Sequence, residues 1–164
     1  MLKDKIQKSL NMQLNQELYA FYSYLAMSAY FDSLNLNGFT NWMRMQAEEE
    51  KAHAMKFYDY ILHANGKVDL QKIEAPKNSW KSAKEVFQDT FENEKKVTES
   101  IYEIVDLAIA EKDHATHNFL QWFISEQVEE EATALKILEK IKYIGDNQGA
   151  LFILDRELGS RNTV

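Results

Sequence analysis

Residues 47–54 read AEEEKAHA and residues 124–131 read ISEQVEEE. The two stretches lie 77 positions apart and share little beyond their polar register: Glu49 falls on Glu126, Glu50 on Gln127 and His53 on Glu130. Carried back along the chain, the same offset sets Glu17 on Glu94. Each half therefore offers one acid, then an acid or amide 33 residues on and a histidine or acid 36 residues on. Residues three apart share a helix face. Glu50 with His53, and Gln127 with Glu130, can thus each point one way from a single helix.

The composition around these stretches is that of long helices. The 164 residues include one proline and five glycines, where average usage would give about eight and eleven. Turn residues gather at Ser33-Leu34-Asn35-Leu36-Asn37-Gly38, at Asn65-Gly66 and at Gly145-Asp146-Asn147. They predict helices over about 5–33, 39–64, 81–110 and 113–144, and a short one over about 148–158. Ser79 or Ser82 caps the third helix, with Glu85 completing a capping box from Ser82, and Asp113 caps the fourth. The connection 65–80 carries Pro76. About thirteen residues of extended chain reach roughly 40 Å, the length of a bundle. The expectation is an all-α, single-domain antiparallel four-helix bundle over 1–164, with one long crossover and a short fifth C-terminal helix.

On such a bundle the polar positions share a height. Glu17 lies about 17 residues before the first turn, and Glu50 and His53 about 12 to 15 after it. Glu94 lies about 17 before the second, and Gln127 and Glu130 about 14 to 17 after it. At about 1.5 Å per residue they fall within a turn or so of one level. Tyr24, seven past Glu17, stays on the same stripe. Carboxylates gathered at low dielectric repel one another, and two divalent cations held by bridging carboxylates and one imidazole would neutralise them. Oxygen and imidazole ligands without sulfur suit Fe(II), Mn(II) or Zn(II).

Other classes are excluded or disfavoured. With no cysteine there is no disulfide, iron–sulfur cluster or thiolate zinc site. A net charge of −7 argues against a nucleic-acid surface and is compatible with cations as ligands. The longest uncharged run, Leu18 to Phe31, is fourteen residues, too short to span a bilayer. The opening MLKDKIQKSLNMQLNQE has no apolar core of a secretory signal, so a cytoplasmic location is expected. That same run makes the first helix apolar on more than one face, as contact between subunits requires.

QELYAFYSY with Glu17 and Tyr24, AEEEKAHA with Glu49, Glu50 and His53, FENE with Glu94, SEQVEEE with Glu126, Gln127 and Glu130, and KDHAT before FLQWF together resemble the prokaryotic non-haem ferritins, over essentially the whole chain. The resemblance implies an iron-storage ferroxidase that oxidises Fe(II) with O2 or H2O2 and deposits a ferric mineral inside a shell of 24 subunits. It implies a first iron held by Glu17, Glu50 and His53. Glu50 would bridge to a second iron held by Glu94 and Glu130, with Gln127 hydrogen-bonding nearby. A third iron site would be formed by Glu49, Glu126, Glu129 and Glu130, and Tyr24 would be a one-electron donor. Bacterioferritins carry a second Glu-x-x-His and a haem-ligating Met after the second-helix Glu; here stand Gln127-x-x-Glu130 and Lys51, so no haem is expected. Where eukaryotic-type ferritins line three-fold pores with Asp and Glu, this chain has His117 and Leu120.

Each residue alone has a plainer explanation. A lone helical glutamate is usually solvated, and a run such as Glu129-Glu130-Glu131 is commonly an exposed face; Glu129 is included in the site and Glu131 is not. Trp122 lies on the stripe of Glu126, where packing is its expected role. The residues alone leave open a di-iron oxygenase or reductase and a metal-free structural bundle, though the latter leaves the repeated inward acids unexplained.

Overall fold

A computed structural model describes residues 2–161. It contains α1 (Asp4–Ser33), α2 (Asn37–His63), α3 (Ala83–Ala110), α4 (His114–Ile144) and α5 (Gln148–Gly159). Among the described residues there is no strand, and no helix is long and apolar enough to cross a membrane. α1 pairs with α2 and α3 with α4 as two hairpins, α1 lies against α3, and α5 packs on α2.

Three helices stop the same way. Asn35, Asn65 and Lys112 each adopt positive φ, at 58°, 56° and 54°. The amide beyond each reaches back to a carbonyl of the last turn: Leu36 to Phe31 at 3.2 Å, Gly66 to Ile61 at 2.8 Å and Asp113 to Ala108 at 2.8 Å. These are Schellman closures, which satisfy the orphan carbonyls of a helix end. At the second stop the left-handed residue is Asn65, not its neighbour Gly66. The third uses a lysine, a residue with no special tolerance for this conformation.

Helix starts use side-chain caps. Ser82 Oγ accepts from the Glu85 amide at 3.2 Å, and Glu85 accepts from the Lys81 amide at 2.7 Å. Asp113 accepts from the Thr116 amide at 3.0 Å and the Thr116 hydroxyl at 2.8 Å. Asn147 accepts from the Ala150 amide at 3.0 Å. The exceptions are α1, whose Lys3 provides no side-chain cap, and α2, which begins at Asn37 rather than Phe39 and has no cap of its own. Its Phe39 amide donates instead to Asp155 on α5, at 2.9 Å. The crossover is pinned at both ends. Asn11 Oδ1 accepts from the Asp69 amide at 2.7 Å and Gln7 Oε1 from the Lys67 amide at 2.7 Å. Trp80 Nε1 donates to Asp89 at 2.8 Å.

The interior is two apolar plugs with a polar band between them. One plug holds Met27, Phe31, Phe39, Met43, Phe87, Leu138 and Leu154. The other holds Ile6, Leu10, Leu14, Phe57, Ile61, Ile101, Leu120 and Phe123. Along every long helix a group of buried polar residues falls in the gap: Gln13 and Glu17, then Gln46, Glu50 and His53, then Glu94 and Thr98, then Gln127 and Glu130. Outside, α1 leaves Met12, Tyr19, Tyr22 and Leu25 exposed, and the α4–α5 corner leaves Tyr143, Phe152 and Ile153.

α5 can approach α2 this closely because residue 38 is glycine. A Cβ there would lie 1.6 Å from the Asp155 carbonyl oxygen. Gly38→Ala is expected to push α5 off α2 and to lower unfolding stability by about 1–3 kcal/mol, read by calorimetry. Gly149→Ala is the control, because its Cβ would meet only Asn147 at an ordinary 3.4 Å; it should be neutral or slightly stabilising.

Candidate metal centre

Four helices bring oxygen and nitrogen ligands to the band. α1 supplies Glu17 and Tyr24, α2 supplies Glu50 and His53, α3 supplies Glu94, and α4 supplies Gln127 and Glu130. All are buried, the four carboxyl groups at 1%, 2%, 3% and 8% exposure for Glu17, Glu50, Glu94 and Glu130. Among the described residues, no lysine or arginine pairs with any of these four. Buried carboxyls are normally paired or coordinate a metal.

Two ligand groups emerge. Glu17, Glu50 and His53 offer one atom each, all within 4.8 Å of one another, and His53, Glu126 and Glu130 do the same. His53 links them: Nδ1 lies 3.3 Å from Glu50 and Nε2 lies 3.9 Å from Glu126. Glu94 accepts a short hydrogen bond from the Tyr24 hydroxyl and another from Gln127 Nε2 at 3.3 Å. Gln127 also donates to Thr98 Oγ1 at 3.3 Å. The outer acids are placed differently. Glu126 is half-buried and joins His53 and Glu130. Glu49 is held by Arg161 at 2.5 Å. Glu129 is exposed and stands outside both groups.

Gln13 and Gln46 carry no signal in the sequence, yet both reach the centre. Gln13 Nε2 donates to Glu17 at 2.8 Å, and its carbonyl oxygen accepts from Ser100 at 2.6 Å. Gln46 Nε2 donates to Glu130 at 2.7 Å and to Glu50 at 3.3 Å. Glu131 accepts from Thr98 at 2.5 Å, facing the band's edge. Trp122 meets the His53 ring edge-on at 5.4 Å and carries the Lys56 ammonium 3.1 Å above its face.

The electrostatics follow from burial. Removal from water, then the charge of Glu50, holds the Glu17 carboxyl well above the usual range. The same causes push Glu94 up to about 8. Burial and the charges of Glu94 and Glu50 push Glu130 up to about 9. Burial and Glu94 also raise the Tyr24 phenol, so it stays a neutral hydrogen-bond donor at neutral pH. One atom tests the fit to a cation directly. Glu17 Oε2 is sealed from solvent with no hydrogen-bond partner, and Glu17 is the residue that groups with the Glu50 carboxylate and His53. A divalent cation in that gap would supply the positive charge that atom lacks.

These carboxyls keep protons in the folded chain at pH values where the unfolded chain has lost them. Their contribution to stability is whole below the ordinary value of 4.5, and is lost as pH rises through about 8 for Glu94 and about 9 for Glu130. Metal-free protein is expected to melt at falling temperature across that window, and bound divalent metal should remove most of the slope. Glu17→Gln keeps the shape and removes one like charge. It should melt above the parent at the alkaline end and match it at the acid end. A variant that melts lower throughout would show that Glu17 is paired another way.

Residues 7–144 match the family model of the ferritin-like domain. A bacterial non-heme ferritin of Bacteroides fragilis is 42% identical over 161 residues, covering 98% of this chain and all of that one. An open-pore ferritin from the hyperthermophilic archaeon Archaeoglobus fulgidus is 48% identical, covers 99% of this chain and 100% of that chain, and superposes with a TM-score of 0.98. An engineered closed form of the A. fulgidus ferritin is 47% identical over the full length of both chains, with the same TM-score. At that identity over whole lengths, common descent accounts for the shared bundle, and this chain belongs to the ferritin family.

Proposed function

We propose that the chain is a ferroxidase and iron store: it oxidises Fe(II) at a pair of sites inside each subunit and passes Fe(III) into a shell of 24 copies, in the cytoplasm. One observation carries the reading. Four carboxyl groups from four helices are buried at one level with no lysine or arginine partner among the described residues, an arrangement that costs stability unless cations neutralise it.

In this reading Fe(II) is the substrate. Glu17, Glu50 and His53 bind one ion. Glu50 reaches between the sites, and Glu94 and Glu130 bind the second. Binding displaces the protons that burial retains on Glu17, Glu94 and Glu130. Two neighbouring Fe(II) ions each give one electron; O2 accepts both with two protons and leaves as hydrogen peroxide. H2O2 can itself accept two electrons in the same way. Hard carboxylate oxygens favour the higher charge of Fe(III), which lowers its reduction potential and drives the reaction forward. Gln127 and Tyr24 orient Glu94, and Gln46 orients Glu130 and Glu50. Tyr24, hydrogen-bonded to a ligand of the second ion, is placed to give a further electron.

The exit route follows exposure. From Glu50 at 2% and Glu130 at 8%, the acids continue to side chains exposed by 28% at Glu126 and 34% at Glu49, then to exposed Glu129. Each step outward is better solvated, so an ion passed along it regains water as it goes. The exposed apolar residues of α1 and of the α4–α5 corner supply surfaces for neighbouring subunits.

Aerobic addition of Fe(II) tests the whole. The protein should retain far more iron per chain than three ligand sites can hold, and should elute as a large assembly on gel filtration. Glu50→Ala should slow oxidation by at least roughly 10- to 100-fold, the range that supporting residues of a metal site command, with the helical content unchanged. Uptake that stops at about two irons per chain would indicate an oxygenase-type centre instead, and oxidation no faster than in buffer would remove the site.

A further inference from the structure

Arg161 follows the end of α5 and returns to α2. Its Nη2 lies 2.5 Å from Glu49 Oε2, and its Nη1 donates to Gln46 Oε1 at 3.0 Å. Its backbone carbonyl accepts from Asn41 Nδ2 at 3.1 Å. The guanidinium also lies 4.9 Å from the centroid of the Trp42 ring. Every one of these contacts is to α2, on the turns that lead to Glu50.

The contacts have a consequence at the centre. Gln46 spends its carbonyl oxygen on Arg161, which aims its amide nitrogen inward to Glu130 and Glu50. The guanidinium is thus one side chain away from both carboxyl groups of the inner pair. A guanidinium has donors only and does not lose its charge at accessible pH. At Glu49 it is a permanent positive charge on an acid that an incoming cation would use.

We propose that Arg161 is a tethered counter-cation of the outer acid site: it occupies Glu49 while Glu49, Glu126 and Glu130 hold no metal, and is displaced when a divalent cation binds there. The inference rests on the proposed reading of those acids as a cation site. Arg161 is a positioning residue, acting through Glu49 and Gln46. Its side chain is 23% exposed and its partner 34%, so the pair is one of the rim, where ion pairs are weak. A cation can therefore displace it at small cost. Displacement also frees Gln46, so occupancy of the outer site is communicated to Glu130.

The test titrates Zn(II), which does not change oxidation state, into metal-free, assembled, full-length protein by calorimetry. Arg161→Ala is compared with the parent and with Arg44→Ala, which removes an equal charge from an exposed position on α2. In Arg161→Ala the outermost binding event should tighten by about fivefold, the scale of a partly exposed ion pair, with the two inner events unchanged. Arg44→Ala should leave all three events near the parent. If the outer event is unchanged or weaker in Arg161→Ala, or tightens as much in Arg44→Ala, the latch is wrong while the outer site stands. If two inner events occur and no outer event is found in any of the three proteins, the outer site falls and the latch with it.

Discussion

Four carboxyl groups held out of water, with no lysine or arginine among the described residues to answer them, are the constraint on which the rest of this structure depends. Their energetic cost is moderated by protons retained on Glu17, Glu94 and Glu130 and by amide donors from Gln13, Gln46 and Gln127. The cost is tolerable because the chain stabilises itself elsewhere, in two apolar plugs that close the bundle above and below. Each plug draws on all four long helices, so each fixes helix spacing independently. The band between them inherits that spacing and need contribute no stability of its own.

The connections serve the same end. Helix ends closed by Asn35, Asn65 and Lys112 need no flexible loops, and the crossover is tied to α1 through Gln7 and Asn11 and to α3 through Trp80. Registers between helices are thereby set at their ends, and with them the height at which Glu17, Glu50, Glu94 and Glu130 meet.

Much of this was legible in the sequence, because helices convert spacing into geometry. The offset between the two halves, and the three-residue step from Glu50 to His53, suffice to bring these side chains to one level once the turns are located. Asn35 and Asn65 announce their turns, since asparagine tolerates positive φ. Lys112 gives no such signal, and its turn is dictated by packing and by Asp113 behind it. The start of α2 was hidden for a related reason: its cap comes from Asp155, 116 residues away. Gln46 and Arg161 were invisible as parts of the centre because their role exists only after α5 folds back on α2. Glu129 stands exposed beside buried Glu130 because consecutive residues of a helix point in different directions.

The hydrogen bond from the Phe39 amide to Asp155 has a mechanical meaning. It makes α5 the stopper at the head of the helix that carries Glu50 and His53, about three turns upstream of them. The far side of α5 presents Phe152 and Ile153 outward. Whatever leans on those two side chains therefore leans, through a single lever of backbone and carboxylate, on the rod that aims the ligands.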